Sequence, residues 1–321
     1  MTTVLSGHLL IDIEGQTLTA EDQCFLKHPR VCGVILFARN FSSSSQLKQL
    51  CEEILNIRAD LIISVDQEGG RVQRFLGEGF PSLPSFKSLG ALARQDLNAA
   101  QTQCRKVAVQ MAQPLIACGV NVCFSPVVDC DPMVDGSVLD GRCFSDKPEE
   151  IIKLATSFIR GMSELGLAHV VKHFPGHGGV HEDTHHEAAV DHRSLETLMA
   201  RDLLPYLAMK STLQSIMLSH VIFPAVDSLP CSMSAKWVEI VKNIVGAKPI
   251  VFTDCLSMSA AKKIYKNPVE RVNRVFEAGV DVALLCNDRN ALRQVIHQLP
   301  NALSKSAKQR LFDWQKRALC A

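Results

Sequence analysis

The chain has almost no charge of one sign to spare: 34 Lys and Arg stand against 33 Asp and Glu, a formal net charge of +1 at pH 7. A nucleic-acid binder usually carries a basic excess or stripe, so this class is set aside. A disordered chain would have fewer apolar residues than the 47% here. No uninterrupted apolar run reaches the length of a membrane span. The start, MTTVLSGHLLIDIEG, has no Lys or Arg before its short apolar run, and Asp12 and Glu14 interrupt that run early. It makes a poor signal peptide. Twelve cysteines are present, yet no pair has CxxC spacing. That spacing would mark a zinc ribbon or a thioredoxin-like site. The thiols sit mostly inside apolar runs such as VCGVIL, NVCFSPVV and ALLCN. They read as small buried hydrophobes of a protein in a reducing compartment, and the expectation is a cytoplasmic location. No linker, repeat or low-complexity tract divides the chain, so one domain over residues 1–321 is expected.

What the chain does have is alternation. Short, continuous apolar runs occupy residues 8–13, 31–37, 61–65, 119–128, 169–173, 215–220, 249–253 and 281–286. Continuous rather than alternating apolarity suits strands buried on both faces of a parallel sheet. Between them, residues 44–58, 147–165, 269–278 and 304–319 have helical character. Asp146 stands where an N-cap of the second would be, followed by Glu149 and Glu150 in its first turn. Eight runs with intervening helices predict an α/β fold, a (β/α)8 TIM barrel; a doubly wound sheet shares the local alternation.

In a barrel, chemistry collects after the C-terminal ends of the strands. The residues there are polar in this chain. Asp66 to Arg74 follow the third run and Asp129 the fourth, with Asp131, Asp135, Asp140 and Arg142 downstream. Lys172 to Gly178 follow the fifth, Ser219-His220 the sixth, and Asp254 the seventh. Residues 169–192 hold seven of the 11 histidines. His173, His177, His181 and His185 recur every four residues, and His181 to His185 spell HExxH in letters. That pattern binds zinc only on a helix, and Pro175, Gly176, Gly178 and Gly179 oppose one. A zinc-dependent TIM-barrel hydrolase using the cluster from His173 to His192 is therefore the alternative reading. The other is acid–base chemistry, since Asp183 precedes His185 by two residues and could orient its ring. Asp254 alone reads equally as a helix N-cap or as a catalytic carboxylate of the glycosidase kind.

Together the strings resemble a known family. Asp66-Gln-Glu-Gly-Gly-Arg-Val-Gln-Arg74, Lys172-His-Phe-Pro-Gly-His-Gly178, Asp183-Thr-His185 and Phe252-Thr-Asp-Cys-Leu-Ser-Met258 occur in family order. Ile35-Leu-Phe-Ala-Arg-Asn-Phe41, Ser219-His-Val-Ile-Phe-Pro-Ala-Val-Asp227 and Ala278-Gly-Val-Asp281 agree as well. The chain is similar, over roughly residues 7 to 290, to the β-N-acetylglucosaminidases of glycoside hydrolase family 3, in their compact bacterial form that serves peptidoglycan recycling. The resemblance implies Asp254 as nucleophile, His185 as general acid/base and Asp183 as its dyad partner. It implies Asp66, Arg74, Arg142, Lys172 and His173 as residues holding a terminal N-acetylglucosamine. The reaction implied is retaining hydrolysis through a glycosyl-enzyme, with N-acetylglucosaminyl anhydromuropeptides as substrates. A neutral imidazole base would also let phosphate replace water. No metal, cofactor, membrane or nucleic acid is implied, and a monomer is expected. Two departures stand out: Cys255 follows the nucleophile where relatives often carry Asp, and Cys143 follows Arg142 where Ser is usual. A thiol at 255 would make the site oxidation-sensitive if exposed.

Overall fold

The computed structural model describes residues 8–130, 138–180, 184, 188–298 and 305–319. Each apolar run contributes a strand. These are β1 (Leu9–Asp12), β2 (Val31–Leu36), β3 (Ile62–Val65), β4 (Val122–Cys123), β5 in two pieces (Ala168–His169 and Val171–Phe174), β6 (Ser215–Leu218), β7 (Ile250–Cys255) and β8 (Val282–Leu285). All neighbours are parallel, and β8 returns to pair with β1. The first piece of β5 pairs with β4 and the second with β6, so β5 completes the ring of a (β/α)8 barrel.

The run at 119–128 yields a shorter strand than its apolarity predicts. Pro126 has no N–H to give a ladder. Pairing stops at Cys123 and resumes only as a bridge between Val127 and Lys172. The expected helices appear as Ser44–Ile57, Pro148–Ser163, Pro268–Glu277 and Lys305–Leu319. The predicted cap at Asp146 is corrected. The helix Pro148–Ser163 has Lys147 as its N-cap residue with no side-chain cap. The Ser145 hydroxyl instead accepts from the Lys147 N–H at 3.2 Å and donates to Glu150 at 2.6 Å. Serine wins because its short side chain satisfies an orphan helix donor from one residue further back.

Two apolar layers result. One lies between strands and helices, with Leu47, Leu50, Phe86, Leu154, Phe158 and Trp237 in it. The other fills the barrel, where Leu10, Ile62, Val122, Phe124, Ile250, Phe252 and Val282 point inward. The helix Lys305–Leu319 closes the N-terminal end of that interior. Its Leu311, Trp314 and Ala318 are buried against the inner layer, and Trp314 meets Phe252 edge-on at 5.5 Å. Arg310 pairs with Asp281 at 2.6 Å beside them. The other end stays open. Among the described residues, no helix is long and apolar enough to cross a membrane.

Candidate active site

A cavity of about 410 Å³ opens at the C-terminal end of the barrel. This is the size class of small-molecule sites and the end where barrel enzymes carry their chemistry. Six residues singled out in the sequence line it: Asp66, Arg74, Arg142, Lys172, His173 and Asp254. They come from three different strand ends and the loop at 138–142. The remaining two, Asp183 and His185, lie outside the described residues, as do Asp131 and Asp135. Asp140 is held outside the cavity by Lys87 at 2.9 Å.

Charge is arranged in a chain across the pocket floor. Lys172 reaches Asp66 at 2.6 Å and Glu68 at 2.7 Å. Glu68 accepts a two-pronged bond from Arg142, both contacts at 2.8 Å. Arg74 approaches Asp66 at 3.5 Å. Glu68 was not foreseen as a site residue, although it stands inside the string from Asp66 to Arg74. It is 1% exposed and carries two cations. Burial alone would push its carboxyl up, but Arg142 and Lys172 outweigh this and hold it well below the usual carboxylate range. Burial likewise opposes the Lys172 charge, and Asp66 with Glu68 raises its pKa nonetheless. Three cations and two carboxylates are thus fixed before any ligand arrives. Such prepaid orientation suits hydroxyl groups of a sugar, which accept and donate at once.

Local structure explains these positions. Gln67–Gly69 and Val72–Gln73 form a small antiparallel hairpin after β3, turned at Gly70 with φ of +56°, which glycine adopts without cost. Arg71 donates to the backbone carbonyls of Asp140 and Val138, and Arg142 also donates to Val138. The hairpin and the 138–142 loop therefore hold Arg142 between them.

His173 depends on Asp129, which the sequence placed at the barrel rim without a role. Asp129, fully buried after β4, accepts from the His173 ring Nδ1 at 2.7 Å, and from the backbone N–H groups of His173 at 3.3 Å and His177 at 2.8 Å. Burial opposes its charge, yet these histidines keep its carboxyl low. The signal was an acid closing the fourth apolar run. Gly178 is required by contact: a Cβ there would lie 1.8 Å from the Cys130 carbonyl oxygen.

The histidine-rich stretch is not one cluster among the described residues. His169 is in the core, its pKa pushed down to about 4 by burial. His177 is buried beside His173, likewise pushed down to about 4 by burial. His192 is exposed. Among the described residues, no three of His, Cys, Asp or Glu converge as a metal site would need.

Asp254 does not cap a helix. The next helix, Ser259–Ile264, has Met258 at its N-cap. Asp254 is in β7, where the register slips: Phe252 faces Val282, but Cys255 faces Leu284. Three steps on β7 match two on β8. The N–H of Leu284 is rescued by the buried Thr253 hydroxyl at 3.1 Å. Bulges of this kind re-aim side chains near sites. Strict alternation puts only one of two successive residues on a given face, yet both Asp254 and Cys255 line the cavity. The backbone N–H of Cys255 donates to Asp254 Oδ1 at 2.7 Å. His220 buttresses the same point, with Nε2 at 2.9 Å from the Cys255 carbonyl and Nδ1 at 2.7 Å from the Ser232 hydroxyl. A carbonyl only accepts, so Nε2 carries a proton; in the neutral ring Nδ1 then accepts from Ser232.

Thr184 is the described residue between Asp183 and His185. It is 2% exposed, its carbonyl accepts from Ala260 N–H at 3.2 Å, and its hydroxyl lies 3.3 Å from His177 Nε2. The chain is thus docked at Thr184 onto the helix that begins five residues after Asp254.

Residues 7–319 match the glycosyl hydrolase family 3 N-terminal domain. A beta-hexosaminidase of Nitrosomonas eutropha is 40% identical over 296 residues, 91% of this chain and 84% of its own length. One of Idiomarina loihiensis is 42% identical over 305 residues, covering 94% and 91%. Crystal structures of NagZ from Neisseria gonorrhoeae, 35% identical, superpose with a TM-score of 0.88 for the complex with zinc ion and 0.89 for the complex with N-trifluoroacetyl-D-glucosamine. These cover 99% and 98% of this chain, and 91% of theirs. A barrel with an acid-bearing, cation-rich pocket and this breadth of likeness make the chain a member of glycosyl hydrolase family 3.

Proposed function

We propose that this β-hexosaminidase-type glycosidase is a retaining exo-β-N-acetylglucosaminidase with Asp254 as its nucleophile. The observation that carries the reading is the bulge in β7, which turns Asp254 into a pocket already furnished with Asp66, Arg74, Arg142 and Lys172. Asp254 attacks the anomeric carbon while His185, protonated, gives its proton to the leaving oxygen. Neutral His185 then takes a proton from water, which releases the sugar from Asp254. Asp183 orients the His185 ring. The docking of Thr184 beside the helix that follows Asp254 supports a role for these two flanking residues. Asp66, Arg74, Arg142, Lys172 and His173 hold the terminal N-acetylglucosamine, and their bonds tighten as charge develops on the ring.

The substrates are N-acetylglucosaminyl anhydromuropeptides of cell-wall recycling, cleaved by a monomer in the cytoplasm without metal or cofactor. The complex of the gonococcal relative with N-trifluoroacetyl-D-glucosamine supports the sugar assignment. Asp254→Ala should lower turnover of an aryl N-acetyl-β-glucosaminide by a factor on the order of 10⁴ or more, as nucleophile deletions do in other hydrolases. Substantial residual turnover would refute the role of Asp254. Equal rates on the matching glucoside would refute the acetamido preference. Activity lost to a chelator and restored by zinc would favour the metal reading instead.

A further inference from the structure

We propose that Cys255 and Cys286 are an oxidisable thiol pair at the wall of the substrate pocket, closed to a disulfide by a hydroperoxide and reopened by a dithiol. Both line the cavity beside Asp254. Their sulfurs lie 3.0 Å apart, with the Cys286 thiol donating to Cys255, and the Cys255 thiol is 3.6 Å from the Cys286 carbonyl. The bulge is the cause. It turns Cys255 inward and sets it against Leu284, two residues before Cys286 on the adjacent strand. That the two thiols already touch leaves a closure of about 1 Å to a disulfide length of about 2.05 Å.

Cys255 differs from the buried thiols, its partner Cys286 included, whose pKa is raised well above the ordinary value by their hydrogen bond and by burial. Burial pushes Cys32, Cys104, Cys123 and Cys130 up to about 12, which makes them poor nucleophiles. Cys255 is shifted the other way, first by the hydrogen bond from Cys286. It is also the one of the two that is partly exposed. The Cys255 thiolate attacks one peroxide oxygen. An S–O bond forms, the O–O bond breaks, and the leaving oxygen departs with a proton as water or an alcohol. Cys286 then attacks the sulfenic sulfur. The S–S bond forms, the S–O bond breaks, and the Cys286 proton leaves with the hydroxyl as water. Two electrons pass from the thiols to the peroxide.

The consequence for catalysis rests on the function proposed above. Cys255 is bonded through its N–H to Asp254 and through its carbonyl to His220. Drawing it about 1 Å toward β8 misplaces Asp254, and misplacement of that size costs up to roughly a hundredfold in rate.

The whole chain is treated with hydrogen peroxide, the remaining thiols are alkylated, and a non-reducing digest is analysed by mass spectrometry. Turnover of an aryl N-acetyl-β-glucosaminide is followed in parallel, before and after dithiothreitol. A peptide joining Cys255 to Cys286 should appear as turnover falls roughly ten- to a hundredfold, and dithiothreitol should reverse both. In Cys286→Ser, dimedone should trap a sulfenic acid at Cys255 with no cross-link. If both cysteines remain alkylatable under conditions that oxidise the exposed Cys24, or if the cross-link forms with turnover unchanged, the proposal is wrong. A chain that cross-links but never cleaves the glucosaminide would instead overturn the assigned activity and leave the thiol pair standing.

Discussion

At the C-terminal end of the barrel two cations share one buried carboxylate, whereas at the N-terminal end a tryptophan and an arginine of the last helix close the interior. Both ends hold buried charge. Glu68 serves Arg142 and Lys172; Asp281 serves Arg310 and the backbone N–H of Val251. The difference lies in what surrounds them. At the closed end Trp314 and Leu311 fill the space next to the pair, so it secures packing. At the open end Arg142 and Lys172 line a cavity with Glu68 buried behind them, so the two cations face a ligand. Buried ion pairs seldom add much stability against an apolar alternative. Their retention around an open cavity therefore points to binding.

The sharpest way to test this contrast is Glu68→Gln. It leaves Lys172 and Arg142 short of a counter-charge, and breaking such a network costs about 3–5 kcal/mol. Both stability in denaturant and kcat/KM should fall. A variant that loses stability but keeps its kcat/KM would place Glu68 with the structural pairs. Trp314→Ala should cost a similar or slightly smaller amount, about 3 kcal/mol or more for a large buried ring, while the folded fraction keeps its KM. A changed KM would couple the two ends and break the comparison.

Acid should act on the buried histidines and on Glu68 in different windows. His169 and His177 are held neutral in the fold, with pKa values of about 4 against an ordinary 6.5. Unfolded, they take up protons that the folded chain refuses, so stability falls as pH drops from 6.5 towards 4, by up to about 3 kcal/mol for each. Glu68 has the depressed value of a paired carboxylate. Its contribution is complete above the ordinary carboxylate range and is lost only as pH falls below that range. Urea midpoints measured from pH 7 to pH 4 should therefore decline before Glu68 titrates, and a flat profile would contradict the neutral histidines.

Much of the barrel was legible because strands buried on both faces leave continuous apolar runs. The helix Leu97–Ala117 was less so, since four of its seven buried residues, Ala100, Cys104, Ala108 and Ala112, are small and mark periodicity weakly. Pocket residues were legible as polar groups ending apolar runs. Glu68 and Asp129 were visible by position, but their importance lies in partners 74 and 44 residues away. The bulge at Thr253–Asp254 was hidden for a similar reason: register is a property of two strands, and Thr253 reads as an ordinary strand residue until Leu284 is placed beside it. Likewise, Cys255 and Cys286 are separated by 31 positions and meet only through that bulge. The string at Ala278 to Asp281 matched the family, yet its Asp281 anchors the closed end and does not line the pocket.

Asp254 is the carboxylate proposed to become glycosylated. Incubation with a fluorinated N-acetylglucosaminyl donor, followed by peptide mapping, tests this most directly. A stable adduct on the peptide carrying Asp254, formed as turnover is lost, is the predicted result. An adduct on another carboxylate, or inactivation with none on Asp254, would contradict it.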